Sequence, residues 1–119
     1  MYERHKTGKE GEDIATQFLL KQNYKIVERN FECKQGEIDI IAIDKNEVVF
    51  VEVKTRTSEK YGKPVDAVNE NKKKHFINAI KYYIYKNELE NAFIRIDVIE
   101  VYIKKEKNHY INHIKKAID

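Results

Sequence analysis

The segment GEIDIIAIDKNEVVFVEVKTR, residues 36–56, constrains this chain more than any other. Two apolar, β-branched runs are joined by the polar stretch Asp44–Glu47, the pattern of a β-hairpin. Yet Asp39, Glu52 and Lys54 stand inside those runs, where charge costs free energy unless something pairs with it. With the turn centred on Lys45-Asn46, Asp39 faces Glu52 and Glu37 faces Lys54. Strand alternation then gathers all four on one face, and a one-residue slip would scatter them. Carboxylates directly opposed across a ladder lie roughly 5 Å apart at Cβ, a repulsive arrangement unless a divalent cation sits between them. Hard oxygen donors in this number, with positions left for water and phosphate, suit magnesium. Lys54 beside such an ion could orient or deprotonate a water, or stabilise charge on a phosphorus centre. Together these are the parts of metal-assisted phosphodiester hydrolysis. The alternative is a cross-strand ion pair, Glu37 with Lys54, that serves stability alone.

The remaining pattern supplies a scaffold. Thr7 followed by Glu10 forms a capping box opening a helix that ends near Gln22–Asn23, with Ile14, Ala15, Phe18 and Leu19 as its apolar stripe. Tyr24 to Phe31 reads as a first strand, Glu37 to Ile43 as a second and Val48 to Thr55 as a third, a meander. The third, VVFVEVK, is apolar enough on both faces to be central. A polar stretch, Arg56 to Pro64, follows. Asn69 caps a second helix that buries Phe76, Ile77, Ile80, Tyr83 and Ile84. Phe93 to Ile103 is a fourth strand, His109 to Ile111 a short fifth, and Asn112 to Ile118 a last helical turn or two. The order α-βββ-α-β(-β) predicts one α/β domain over residues 1–119, a mixed sheet flanked by helices.

Glu12 lies three and seven residues before Ala15 and Leu19, on the stripe that faces the sheet, so it could extend the acidic cluster as a metal or water ligand. It equally suits the positive end of a helix. Gly8 and Gly11 permit close approach of a backbone or a phosphate. Length and composition exclude other classes. At 119 residues and 41% hydrophobic the chain can bury a core. It has no apolar run long enough to span a membrane, and its N-terminus is too polar for a signal peptide. A single cysteine, Cys33, offers no disulfide or zinc cluster, and the simplest setting is a reducing cytoplasm. The net charge of +3 and the clustered lysines suit either a solvated surface or a polyanion partner.

Asp39 followed by Glu52-Val53-Lys54 resembles the core of the PD-(D/E)XK nuclease superfamily. More closely, the chain resembles the YraN-like family of small bacterial predicted endonucleases, related to archaeal Holliday junction resolvases. The likeness spans Gly8, Gly11-Glu12, Ala15, Arg29-Asn30, Gly36-Glu37-Ile38-Asp39, Val49 to Lys54 and Arg56. It continues through Gly62, Pro64, Ala67-Val68, Lys72, Arg95, Asp97 and His113-Ile114. Ile38 stands in place of the superfamily's proline, and Glu32 where the family carries a basic residue. The resemblance implies a restriction-endonuclease-like fold, with Asp39 and Glu52 as metal ligands and Lys54 as catalytic lysine. It adds Glu12 from the first helix and the Val53 backbone carbonyl as further ligands. It also implies a magnesium or manganese cofactor, branched or structured DNA as substrate, and a homodimer.

Arg56 and Lys60, in the polar loop after the site, and Lys72, on the first turn of the second helix, are candidate nucleic-acid contacts; each is equally an ordinary surface cation. Arg95 and Asp97 alternate on one face of the fourth strand, an ion pair or hydrogen-bonded support for the site. Tyr82, Tyr83 and Tyr85 read as packing or interface residues rather than as base-stacking ones. The competing function class is a non-catalytic nucleic-acid-binding module; a third is a partner protein in which the acids serve ion pairs.

Overall fold

The computed structural model describes residues 2–57, 70–104 and 108–118, with side chains from residue 8 onward. Helix α1 (Tyr2–Lys21) leads into strands β1 (Lys25–Cys33), β2 (Gly36–Asp44) and β3 (Glu47–Thr57). Helix α2 (Glu70–Lys86), β4 (Phe93–Ile103) and β5 (His109–Ile118) follow. The five strands form one mixed sheet in sequence order. β1–β2, β2–β3 and β4–β5 are antiparallel, whereas β3 and β4 run parallel over eleven paired positions, Glu47↔Phe93 to Thr57↔Ile103. A parallel pair needs a long crossover, and α2 lies within it.

β3 is central because it is apolar on both faces. Val49 and Val51 join Ile40, Ala42, Ile99 and Val101 beneath Ala15 and Leu19 of α1. Phe50 joins Ile38 and Ile41 beneath Phe76, Ala79, Ile80 and Tyr83 of α2. The helices therefore cover opposite faces. Tyr83 meets Phe31 and Phe50 edge-on, with centroids 5.1 and 5.6 Å away, which confirms its packing role; Tyr85 is exposed. Among the described residues no helix is long and apolar enough to cross a membrane.

Two expectations at the termini are corrected. α1 begins at Tyr2, so Thr7 is interior to it; the residues before Thr7 include Glu, Arg and Lys, good helix formers that extend the helix past the capping box. Its end is as expected: Asn23 adopts φ 71°, and the Tyr24 N–H returns to the Leu19 carbonyl at 3.0 Å. The segment Asn112–Ile118 is not helical but continues β5. There the β4 ladder overrides local helix propensity, burying the His113 side chain and packing Ile111 against the core while Asn112 and Ile114 face outward. The cap at Asn69 falls outside the described residues.

Gly11 is where α1 touches β3. A Cβ there would overlap the Thr55 hydroxyl, whereas one at Gly8 would meet open space. Close approach is thus real at Gly11, but to a strand side chain. Gly11→Ala is expected to destabilise by about 1–3 kcal/mol through overpacking, and Gly8→Ala to stabilise by about 0.5–1 kcal/mol through helix propensity. Urea titration of both variants reads the difference; equal effects would place the helix elsewhere.

Arg95 and Asp97 do form an ion pair, Nε to Oδ1 at 2.9 Å. Arg95 also reaches Asp44 Oδ2 and Glu47 Oε1, both at 2.9 Å, and its NH2 donates to the Tyr24 hydroxyl at 2.6 Å. Asp97, fully buried, meets His113 Nε2 at 2.8 Å and accepts the Lys116 N–H at 3.2 Å. These partners belong to the ends of β2 and β3 at their shared turn, to β5, and to the turn between α1 and β1. Asp39, Glu52 and Lys54 are not among them, so the pair fastens the sheet and does not brace those acids.

Candidate functional site

The hairpin register expected from its turn holds from Asp44↔Glu47 to Ile40↔Val51, and there the ladder ends. Asp39 is the next residue. Its Oδ2 accepts the backbone N–H of Val53 at 2.8 Å, so a side chain takes the place of a ladder carbonyl where β2 and β3 part. The strands also turn over at this point. Ile40 packs on the α1 side and Ile38 on the α2 side, although residues two apart on a regular strand share a face. On β1 their partners behave alike: Arg29, opposite Ile40, reaches Asp13 of α1 at 2.8 Å, while Phe31, opposite Ile38, stacks near Tyr82 of α2. Between them Asn30 adopts φ 55°, a left-handed conformation Asn tolerates.

The switch aims Asp39 into the fork, where groups from both helices act on it. Burial raises its pKa; the Val53 N–H opposes that, Glu12 and Glu52 add to it, and Lys72 opposes again, leaving it at about 6. Glu12 is likewise raised, chiefly by burial, against the Arg29 guanidinium 3.8 Å away and a hydrogen bond from Asn30. Asp39 and Glu52 line one cavity of about 380 Å³. Its other walls are Glu32, Cys33, Gly36 and Glu37 from the β1–β2 hairpin, and Lys72, His75 and Phe76 from α2. Gly36 sits so close to α2 that a Cβ would overlap the His75 carbonyl.

The expected residues are thus gathered unequally. Asp39, Glu52 and Lys72 converge on the cavity, and the Val53 peptide is tied to Asp39. Glu12 acts on Asp39 from α1 without lining the cavity, and Lys54, half-buried on β3, does not line it either. Because the ladder stops at Ile40, the expected opposition of Glu37 and Lys54 does not form; Glu37 instead acts on Glu12. Among the described residues no group of three or more His, Cys, Asp or Glu side chains is close enough together to hold a metal. The two carboxylates that share the cavity with Lys72 are accompanied there by Glu32 and Glu37.

Arg56 is corrected. It lies in β3 rather than in a loop, half-buried, with NH2 3.1 Å from Glu100 Oε2. Lys60 falls outside the described residues. His75 and Asn30 were missed as site residues. His75 sits one helical turn after Lys72, a spacing visible in the sequence, whereas the Asn30 turn-over leaves no such trace.

The profile described as "Uncharacterised protein family UPF0102" matches residues 11–101. A UPF0102 protein of Caldanaerobacter subterraneus subsp. tengcongensis is 47% identical over 112 residues, 92% of each chain. One from Clostridioides difficile is 48% identical over 107 residues, 90% of this chain and 91% of the relative. One from Caldicellulosiruptor saccharolyticus is 44% identical over 115 residues, 96% and 98% of the two chains. With the match covering most of its length and the relatives aligned nearly end to end, this chain belongs to the UPF0102 family.

Proposed function

We propose that the protein is a magnesium- or manganese-dependent endonuclease that hydrolyses DNA phosphodiester bonds, a member of the PD-(D/E)XK superfamily with a restriction-endonuclease-like fold. The observation carrying this reading is the meeting of Asp39 and Glu52 in one cavity, with Asp39 hydrogen-bonded to the Val53 peptide. Burial, with repulsion from Glu12 and Glu52 added to it, makes Asp39 an acid that a cation would relieve. Asp39, Glu52 and the Val53 carbonyl would hold the ion, with Glu12 assisting from α1. When bound, such an ion would supply Lewis-acid polarisation of the phosphate and a lowered pKa for the attacking water.

The chain's own residues supply the rest. Lys54, two residues beyond Glu52, stabilises negative charge developing on the phosphate or positions the water. Lys72 brings a positive charge to the cavity wall, suited to a phosphate. Branched DNA as substrate, a homodimer and a cytoplasmic setting are the finer parts of the proposal, drawn from the likeness to resolvases and the single cysteine.

Calorimetry with manganese tests the metal site: saturable binding in the wild type, lost in Asp39→Ala. A cleavage panel of linear, flap and four-way DNA in magnesium or manganese tests the chemistry, with Glu52→Gln slower by at least about 100-fold. Equal cutting by wild type and Glu52→Gln would refute it. Binding with steep salt dependence but no cutting would favour the non-catalytic module.

A further inference from the structure

Val48 and Phe50 point to the α2 side of the sheet, so alternation along β3 places Glu52, Lys54 and Arg56 on that side too. The register carries this face across two more strands. Lys54 lies beside Glu100 and then Asn112; Arg56 lies beside Tyr102 and then Tyr110. The row is bound together: Glu100 takes Arg56 NH2 at 3.1 Å, Asn112 Nδ2 at 2.9 Å and the Tyr102 hydroxyl at 3.3 Å. Its outer margin is aromatic. The rings of Tyr102 and Tyr110 stack with centroids 4.6 Å apart and planes 6° from parallel, and Lys104 Nζ lies 5.1 Å from the Tyr110 centroid. Among the described residues neither tyrosine belongs to an apolar cluster, and Tyr110 is 49% exposed.

We propose that the Tyr102–Tyr110 pair is a stacking subsite for an unpaired DNA base, on the strand whose phosphate enters the Asp39–Glu52 cavity. The placement of the phosphate rests on the nuclease reading; the stacking site does not. Arg56 lies four residues past Glu52, roughly 13 Å along the strand, and β5 lies roughly 10 Å across from β3. That separation is a short run of nucleotides, and among the described residues the Lys54–Glu100–Asn112 row lies between the two ends. A base offers its flat side to an exposed ring only when it has no stacked neighbour there, so the subsite selects single-stranded over duplex DNA. Lys104, whose Nζ lies over the Tyr110 ring, would swing off it to meet an adjoining phosphate as the base takes its place, while Arg56 neutralises Glu100, the acid that would repel it. The substrate class is DNA with a single-stranded segment next to the cleavage position.

The test is binding of labelled oligothymidylate and of a duplex, by anisotropy in EDTA, to wild type, Tyr110→Ala and Tyr110→Phe. Thermal melts confirm that the variants fold. Tyr110→Ala is expected to weaken single-strand binding by roughly 5- to 150-fold, the usual cost of removing a base-stacking ring. Tyr110→Phe should keep it, and duplex affinity should be unchanged. The chain has no tryptophan, so quenching of tyrosine emission by the oligonucleotide reports contact independently. Unchanged single-strand affinity in Tyr110→Ala, an equal loss for duplex, or no single-strand binding by wild type would each overturn the proposal. Tyr110-dependent binding without cleavage in magnesium would leave the subsite standing and remove the nuclease.

Discussion

Asp97→Ala is expected to lower stability by about 3–5 kcal/mol, the usual cost of breaking a buried charge pair, and so to take a large share of the 5–15 kcal/mol typical of a domain. Asp97 accepts from Arg95 twice, meets His113 Nε2 and accepts the Lys116 N–H, with no exposure to water. Alanine would leave those groups facing a void. Arg95 would keep Asp44, Glu47 and Tyr24, which sets the upper bound of the loss. Burial alone would raise the Asp97 pKa; bonds from His113, Arg95 and the Lys116 N–H outweigh it and hold the carboxyl below its ordinary range. A depressed folded-state pKa contributes stability that is present above the unfolded value, near 3.9, and is lost as pH falls through the folded one. The deficit of Asp97→Ala should therefore be full at pH 7 and shrink below about pH 4. Urea unfolding across that range reads it, and a deficit independent of pH would mean that lost packing, not charge, carries the effect.

Asp39→Asn should do the opposite. In EDTA at pH 7.5 it is expected to stabilise the protein by about 1–2 kcal/mol, roughly 3–10 °C in melting temperature. Burial comes first among the causes that lift the Asp39 pKa to about 6, with Glu12 and Glu52 adding to it. A raised carboxyl pKa means that the folded state binds the proton more tightly than the unfolded chain. Stability then falls as pH climbs from about 4 through 6. Asparagine does not titrate, and its carbonyl can still accept the Val53 N–H. The advantage should vanish near pH 4. Manganese should then stabilise the wild type but not Asp39→Asn, by mass action on the folded state. A variant less stable than wild type at pH 7.5 would show that the acids do not crowd one another.

Much of this fold was legible in the residues. Polar Asp44–Glu47 between two β-branched runs set the hairpin, and five observed pairs keep the register of a turn centred on Lys45-Asn46. The double-sided apolar character of VVFVEVK marked the central strand, and Phe93–Ile103 appears with the bounds expected of it. What escaped is non-local. Nothing in ERNFEC announces that Asn30 will take φ 55° and turn two strands over together, since that depends on what packs above and below. The site was inferred from alternation along a regular ladder, whereas Asp39 reaches its place because the ladder ends. His109–Ile118 reads ambiguously in isolation and is resolved by the free edge of β4. Arg56 looked like loop because polar residues follow it; its partner, Glu100, lies forty-four positions away.

The parting of β2 from β3 takes place inside the sheet and not at a surface loop, and this has a consequence for how charge behaves there. The rungs below the gap fix one side, and β4 pairs with β3 along its full length on the other. Acids mounted on such a frame cannot drift apart to ease their antagonism, as they would on a pliant tip. The crowding of Asp39 by Glu12 and Glu52 thus belongs to the strand pairing itself and not to a movable loop.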